Sequence, residues 1–172
     1  MIRRCVTLVA IAAAVVLTAI PANALTTTRE PVAPQVNLSL VGFCPFPVIA
    51  NDLVNREVQT TFTDASGDVV KIMIHGHVVS QFTNVETGKT VTVNNSGPVT
   101  ITFNDDGTLT VVQRGQSVSG DQGVLTGKPF LIHESGRLVT VAQPNPQSGL
   151  VDFVSQERHG DTTDLCAALA GA

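Results

Sequence analysis

Residues 68–115 read DVVKIMIHGHVVSQFTNVETGKTVTVNNSGPVTITFNDDGTLTVVQRG, and the registers inside this stretch decide the fold class. From Asp68 to Asn84 the even positions carry Val70, Ile72, Ile74, Val78 and Phe82, while Lys71, His75, His77, Gln81 and Thr83 stand on the odd ones. Such period-two alternation marks a half-buried strand. From Lys89 to Asn104 the apolar set is Val91, Val93, Val99, Ile101 and Phe103, all odd. Apolar sets that share a face require facing residue numbers with an odd sum. Joining Asn84 to Lys89 across Val85-Glu86-Thr87-Gly88 meets that condition and sets Phe82 against Val91, Ile74 against Val99 and Ile72 against Ile101.

The next turn, Asp105-Asp106-Gly107, suits a type I turn closed by a left-handed glycine. It pairs Phe103 with Leu109 and Ile101 with Val111. The same arithmetic brings Gly76, Gly97 and Gly115 into one row across three strands. Glycine weakens a strand unless the sheet bends or a backbone comes close, so the row predicts a sharp fold line.

Working outward, residues 1–24 have the plan of a secretory signal peptide: Arg3 and Arg4, an apolar run from Val6 to Ile20, and an Ala22-Asn23-Ala24 cleavage pattern. Cleavage would start the mature chain at Leu25 and leave 148 of the 172 residues. Arg3 and Arg4 would leave too, so that 8 basic residues face 14 acidic ones and the formal charge moves from −4 to −6. That is enough chain for one domain with its own core. No basic cluster exists, and the aromatics are seven Phe with no Trp or Tyr, which argues against nucleic acid as a partner. No second long apolar run follows the signal, so no membrane span is expected after cleavage.

Residues 25–42, with Pro31 and Pro34, read as an extended tether whose tail, Val36 to Val41, could add an edge strand. The β domain is expected over 43–172. Further strands are predicted at 56–64, 124–133, 137–143 and 150–157, with loops at 117–123, 134–136 and 144–149. Asp161 would cap a short C-terminal helix, with Asp164 three residues on. Cys44 and Cys166 are the two cysteines that survive signal removal, and in an exported chain one disulfide between them is the economical reading. The expected fold is all-β: a single antiparallel meander of about seven or eight strands, closed as a barrel or folded as a sandwich, with a short C-terminal helix.

For chemistry, His75 and His77 stand two apart and could hold a divalent transition metal if a third ligand arrived. The run His75-x-His77-x-x-x-Gln81, with Gly88 beyond, resembles the first metal motif of the cupins. That resemblance implies a barrel enzyme whose metal is held by two histidines, a glutamate and a later histidine. Gln81 stands here at the glutamate position. Pro129-Phe130-Leu131-Ile132-His133, the nearest match to the second motif, lacks its glycine. The register also places His75 and His77 beside Lys71, away from the aliphatic face. Asn104-Asp105-Asp106-Gly107 is too short for a dedicated calcium loop. No Gly-x-Ser-x-Gly elbow, phosphate-cradling loop or His-Glu-x-x-His helix is present.

A wider likeness exists. Residues 82–98, Cys44-Pro45-Phe46-Pro47 and Thr163-Asp164-Leu165-Cys166-Ala167-Ala168-Leu169 are similar to small secreted proteins of actinomycete-type bacteria, which share the signal, the terminal cysteines and the Thr-Gly-Lys hairpin. The likeness implies export and the Cys44–Cys166 bridge and carries no activity with it. The function expected from the sequence is therefore a secreted, non-catalytic binding or structural domain with an unknown ligand or envelope partner. The alternatives are a cupin-like metal enzyme using His75, His77 and His133, and a carrier of a small apolar ligand.

Overall fold

Period-two patterning produces strands almost everywhere it occurs. The computed structural model describes residues 25–123, 127–145 and 151–170, so the predicted signal peptide lies outside the described residues. The strands are β1 (Thr26–Pro31), β2 (Leu38–Ser39), β3 (Val48–Asn55), β4 (Val58–Thr63), β5 (Val69–His75), β6 (Val78–Asn84), β7 (Thr90–Asn94), β8 (Val99–Phe103), β9 (Leu109–Gln122), β10 (Pro129–Pro144) and β11 (Val151–Asp164), followed by α1 (Leu165–Ala170). They form two antiparallel sheets, ordered β1-β4-β5-β8-β9-β10-β11 and β2-β3-β6-β7. The arrangement is sandwich-like, with no closed barrel.

The predicted pairings are present: Phe82 faces Val91, Ile74 faces Val99, Ile72 faces Ile101, and Phe103 and Ile101 face Leu109 and Val111. The Asp105-Asp106-Gly107 turn closes through Gly107 N donating to Asn104 O at 2.9 Å, with Gly107 at φ 82°. The Asp106 carboxylate accepts from the backbone N and the Oγ1 of Thr108. Those bonds hold its pKa below the ordinary range.

The predicted fold line is also present, and it is longer than expected. Ile74↔Val99 and Val79↔Asn94 put Gly76 level with Gly97, and a Cβ on Gly115 would lie 3.7 Å from Gly97 Cα. Gly115 then faces Gly136, which faces Gly160. Five glycines thus cross the molecule in one row. The consequence corrects the strand count. The expected continuous strand 68–84 breaks at Gly76 into β5 and β6, which belong to different sheets, and 89–104 breaks into β7 and β8 in the same way. β3 and β4 divide at Arg56-Glu57 beside Gly76, where Arg56 N donates to His77 O at 2.9 Å. The meander is real, but the two expected strands divide at the row while β9, β10 and β11 run through it, and the count among the described residues rises to eleven.

Two loop expectations are overturned. Residues 117–123 and 134–136 lie within β9 and β10 up to Gln122, because the polar residues there are paired across the ladder instead of released to solvent. The predicted strand 124–133 begins only at Pro129, and 124–126 lie outside the described residues. The segment 25–42 does not stand off as a tether: β1 pairs with β4 along its whole length, from Thr26↔Thr63 to Pro31↔Val58. Val36 to Val41 does contribute an edge strand, β2, paired through Leu38↔Ala50.

The core lies between the smaller sheet and the halves of β9 and β10 beyond the glycine row. Val48, Ala50, Phe82, Leu131, Leu165 and Leu169 are buried together. β6 shows the cause most plainly, since Val78, Ser80, Phe82 and Asn84 are all buried on its even face. α1 plugs one end, with Leu169 fully buried. Its last turn is anchored by Asn84 Nδ2, which donates to Leu169 O at 3.2 Å. The helix cap is Asp164 and not Asp161, through Ala167 N donating to Asp164 Oδ1 at 2.9 Å. β11 stays paired as far as Asp164, which delays the helix by one turn. Cys44 and Cys166 form the expected disulfide, with Cα atoms 5.4 Å apart. No helix among the described residues is long and apolar enough to cross a membrane.

Candidate functional site: a cleft between the sheets

The histidines come first, because the sequence singled them out. β5 ends at His75, and Gly76 leaves the regular strand conformation at φ 155°. The alternation that would have aimed both rings along one strand therefore does not run through His77. His77 is exposed, its Nδ1 3.0 Å from Ser96 Oγ. The His133 ring nitrogen Nε2 lies 2.8 Å from Asn94 O, a partner that can only accept. Gln81 stays in β6 opposite Thr92. Among the described residues, no three of His, Cys, Asp and Glu come together as a metal site. The cupin-like set of His75, His77 and His133 is not gathered with a carboxylate.

A second polar group spans the bend. Glu134, buried on β10, accepts from Ser117 Oγ and Ser119 Oγ of β9, and from Arg158 Nε of β11 at 2.7 Å. Gly136 lies between the Glu134 and Leu138 levels, and Arg158, level with Leu138, reaches across it. The carboxylate is satisfied from three sides, as a buried charge must be. Its work is structural: it ties three strands together where the glycines bend them.

The third arrangement is an open cleft of about 230 Å³ between the smaller sheet and the far halves of β9 and β10. Ala50, Ser80 and Phe82 form one wall, Val118, Gly120 and Leu131 the other, and Leu38, Leu40 and Phe43 close over it from the segment before β3. The polar members are Gln35, Asn95, Ser80 and Asp52. Asp52 was not singled out from sequence. The available signal was its parity, since Val48, Ala50 and Asp52 occupy alternate positions on the inward face of β3. A bulge follows at once, with the register slipping between Asp52 and Val54. Bulges re-aim side chains, and they recur beside binding sites.

Asp52 accepts three hydrogen bonds: Ser80 Oγ donates to Oδ1 at 2.8 Å, and Gln35 N and Asn55 Nδ2 donate to Oδ2 at 2.9 and 3.1 Å. Every partner is a donor, matching the acceptor oxygens of the side chain. The Gln35 bond, with Asp52 N donating to Gln35 O, also stitches the segment ahead of β2 to the cleft edge.

Glu57, just beyond the bulge, feels this charge. Burial first, and the Asp52 carboxylate second, push its carboxyl above the ordinary 4.5. The folded state then holds that proton more tightly than the unfolded chain does. Stability from Glu57 is complete below the unfolded value and falls as pH rises through the folded one. Glu57→Gln is therefore expected to match the wild type near pH 4 and to exceed it at neutral pH. Urea midpoints measured across that range test this; a constant offset would remove the linkage.

With the fold and this geometry described, comparison with known proteins adds no relative: no family model, no curated protein and no solved structure matches the chain.

Proposed function

We propose that the mature chain is an exported binding domain of the cell envelope or its surroundings, one that holds a ligand and does not transform it. The observation that carries this reading is the cleft: an open, apolar-walled space between two sheets, with Leu38, Leu40 and Phe43 among its lining residues. Sites of this kind, apolar with a few placed polar groups, are where small ligands bind. The Cys44–Cys166 bridge suits an oxidising compartment. The carrier alternative merges with this reading, the bound molecule being its cargo.

Expression with the native leader in an export-competent bacterium tests it. The protein recovered from the medium should begin at Leu25 and show no free thiol when denatured without reductant. Mass spectrometry of an organic extract should show a small molecule carried by the wild type and lost from Val118→Phe, in which the cleft is filled. Recovery of the chain from the cytoplasmic fraction with its leader intact and its cysteines reduced would overturn export. Stoichiometric zinc, iron or manganese that disappears in a His75→Ala/His77→Ala variant would overturn the binding reading in favour of a metal enzyme.

A further inference from the structure

We propose that the cleft beside Asp52 binds a small ammonium compound with a short apolar tail, the carboxylate taking the charged head and the walls of Ala50, Phe82, Val118 and Leu131 taking the tail. The assignment rests on the binding-domain reading above and names its ligand class.

The argument begins with a contrast between two inward-facing acids. Glu134 is buried and has its cation, Arg158, within 2.7 Å. Asp52 also points between the sheets, at the inward parity of Val48 and Ala50, yet it makes no ion pair among the described residues, and no Lys, Arg or His lines its cleft. A carboxylate drawn out of water is stabilised by a paired cation together with hydrogen bonds. Asp52 is half-buried and has hydrogen bonds only. Two carboxylate oxygens offer about four acceptor directions, and Ser80, Gln35 and Asn55 occupy three of them. The remaining direction belongs to Oδ1, which has Ser80 as its one donor, and Asp52 lines the cleft together with Ser80 and Phe82.

Charge and size then select the ligand. The other polar groups at the wall are neutral, so nothing there would compensate a second anion, and the nearby acid Glu57 adds to the negative field. Fatty acids and phosphorylated ligands are thereby disfavoured. The volume of about 230 Å³ falls below the range of about 300–1,000 Å³ usual for drug-sized ligands. The tail must therefore be short. Along the apolar walls the chain gains by burial, roughly 0.8 kcal/mol per methylene, while the head gains a charge-assisted hydrogen bond.

Three probes of equal length separate these contributions: hexylammonium, 1-hexanol and hexanoate. Each is titrated into the ¹⁵N-labelled, disulfide-intact mature protein at neutral pH, following the amides of Ala50, Ser80, Val118 and Leu131. Hexylammonium should shift these amides saturably and bind about tenfold or more tighter than 1-hexanol, as a charge-assisted bond warrants. Hexanoate should bind more weakly than both. Asp52→Asn, which keeps an acceptor for Ser80 but sets an amide N–H against the donors Gln35 N and Asn55 Nδ2, should erase the preference for hexylammonium over 1-hexanol. Val118→Phe should abolish binding of all three. The wild-type comparison of head groups stands even if a variant fails to fold. Hexanoate binding as tightly as hexylammonium, or equal affinities for hexylammonium and hexanol, would overturn the ammonium assignment while leaving the cleft as a binding site. Absence of a saturable shift from every probe would overturn the site itself, and the extract experiment then decides whether the binding-domain reading falls with it.

Discussion

Gly136→Ala should destabilise the fold by about 4 kcal/mol, by far more than an alanine at an ordinary turn glycine. Gly136 has φ 130°, and a Cβ there would press into the His159 carbonyl oxygen and lie 2.9 Å from Gly160 Cα. The conformational strain alone is worth about 1–3 kcal/mol, and overpacking adds roughly 1–3 more. Its neighbours cannot yield, because Gly136 faces Gly115 on one side and Gly160 on the other, so the obstruction is backbone on backbone. Gly67→Ala is the control. Its φ is 93°, but nothing lies within 4 Å of the added Cβ, so only the left-handed penalty of about 1–2 kcal/mol applies. Urea midpoints of the two variants at unchanged m-value measure the difference. Equal shifts would mean that the glycine row is not a line of close approach.

Breaking the Cys44–Cys166 bridge should have the other large effect. The two cysteines are 122 residues apart in sequence, and closing so long a loop is worth about 4–5 kcal/mol in the chain-entropy account. The loss also acts locally. α1 has six residues, too few to stay helical by itself, and it carries Leu165 and Leu169 into the core. Release of Cys166 loosens the hold on both leucines and on the Asn84–Leu169 hydrogen bond. A Cys44→Ser/Cys166→Ser variant should melt about 10 °C or more below the oxidised protein, at roughly 2–4 °C per kcal/mol for a chain of this size. The amides of α1 should exchange faster than those of β9 and β10. A melting point unchanged by the substitution would show that packing of α1, and not the bridge, closes the domain.

Much of the fold was legible because strand parity and turn chemistry are local. The pairings of Phe82 with Val91, Ile72 with Ile101 and Phe103 with Leu109 follow from counting residues across two turns. Extending the count to the next hairpin adds Gly136 to the row, but counting on from the turn into β11 would set Gly136 against His159, because the register slips between Val141 and Ala142 before Gly160 is reached. The polar composition of Ser117-Val118-Ser119-Gly120-Asp121 concealed β9, since the hydroxyls of Ser117 and Ser119 are bound by a carboxylate fifteen or more residues away. The candidate site was less legible. His75 and His77 attracted notice as a spaced pair, but Gly76 breaks the periodicity that the spacing assumed.

The stretch 68–115 by itself determined an antiparallel meander, its registers and the existence of a bend at Gly76, Gly97 and Gly115. Only the tertiary structure decided that the segments on either side of Gly76 and Gly97 join different sheets while β9 runs on through Gly115 in one. The physical reason is that alternation specifies which face of a strand is buried but carries no information on which sheet buries it. The same limit applies to Asp52: its inward parity is written in β3, while its lack of a cation depends on which side chains the bend brings, or fails to bring, to the opposite wall.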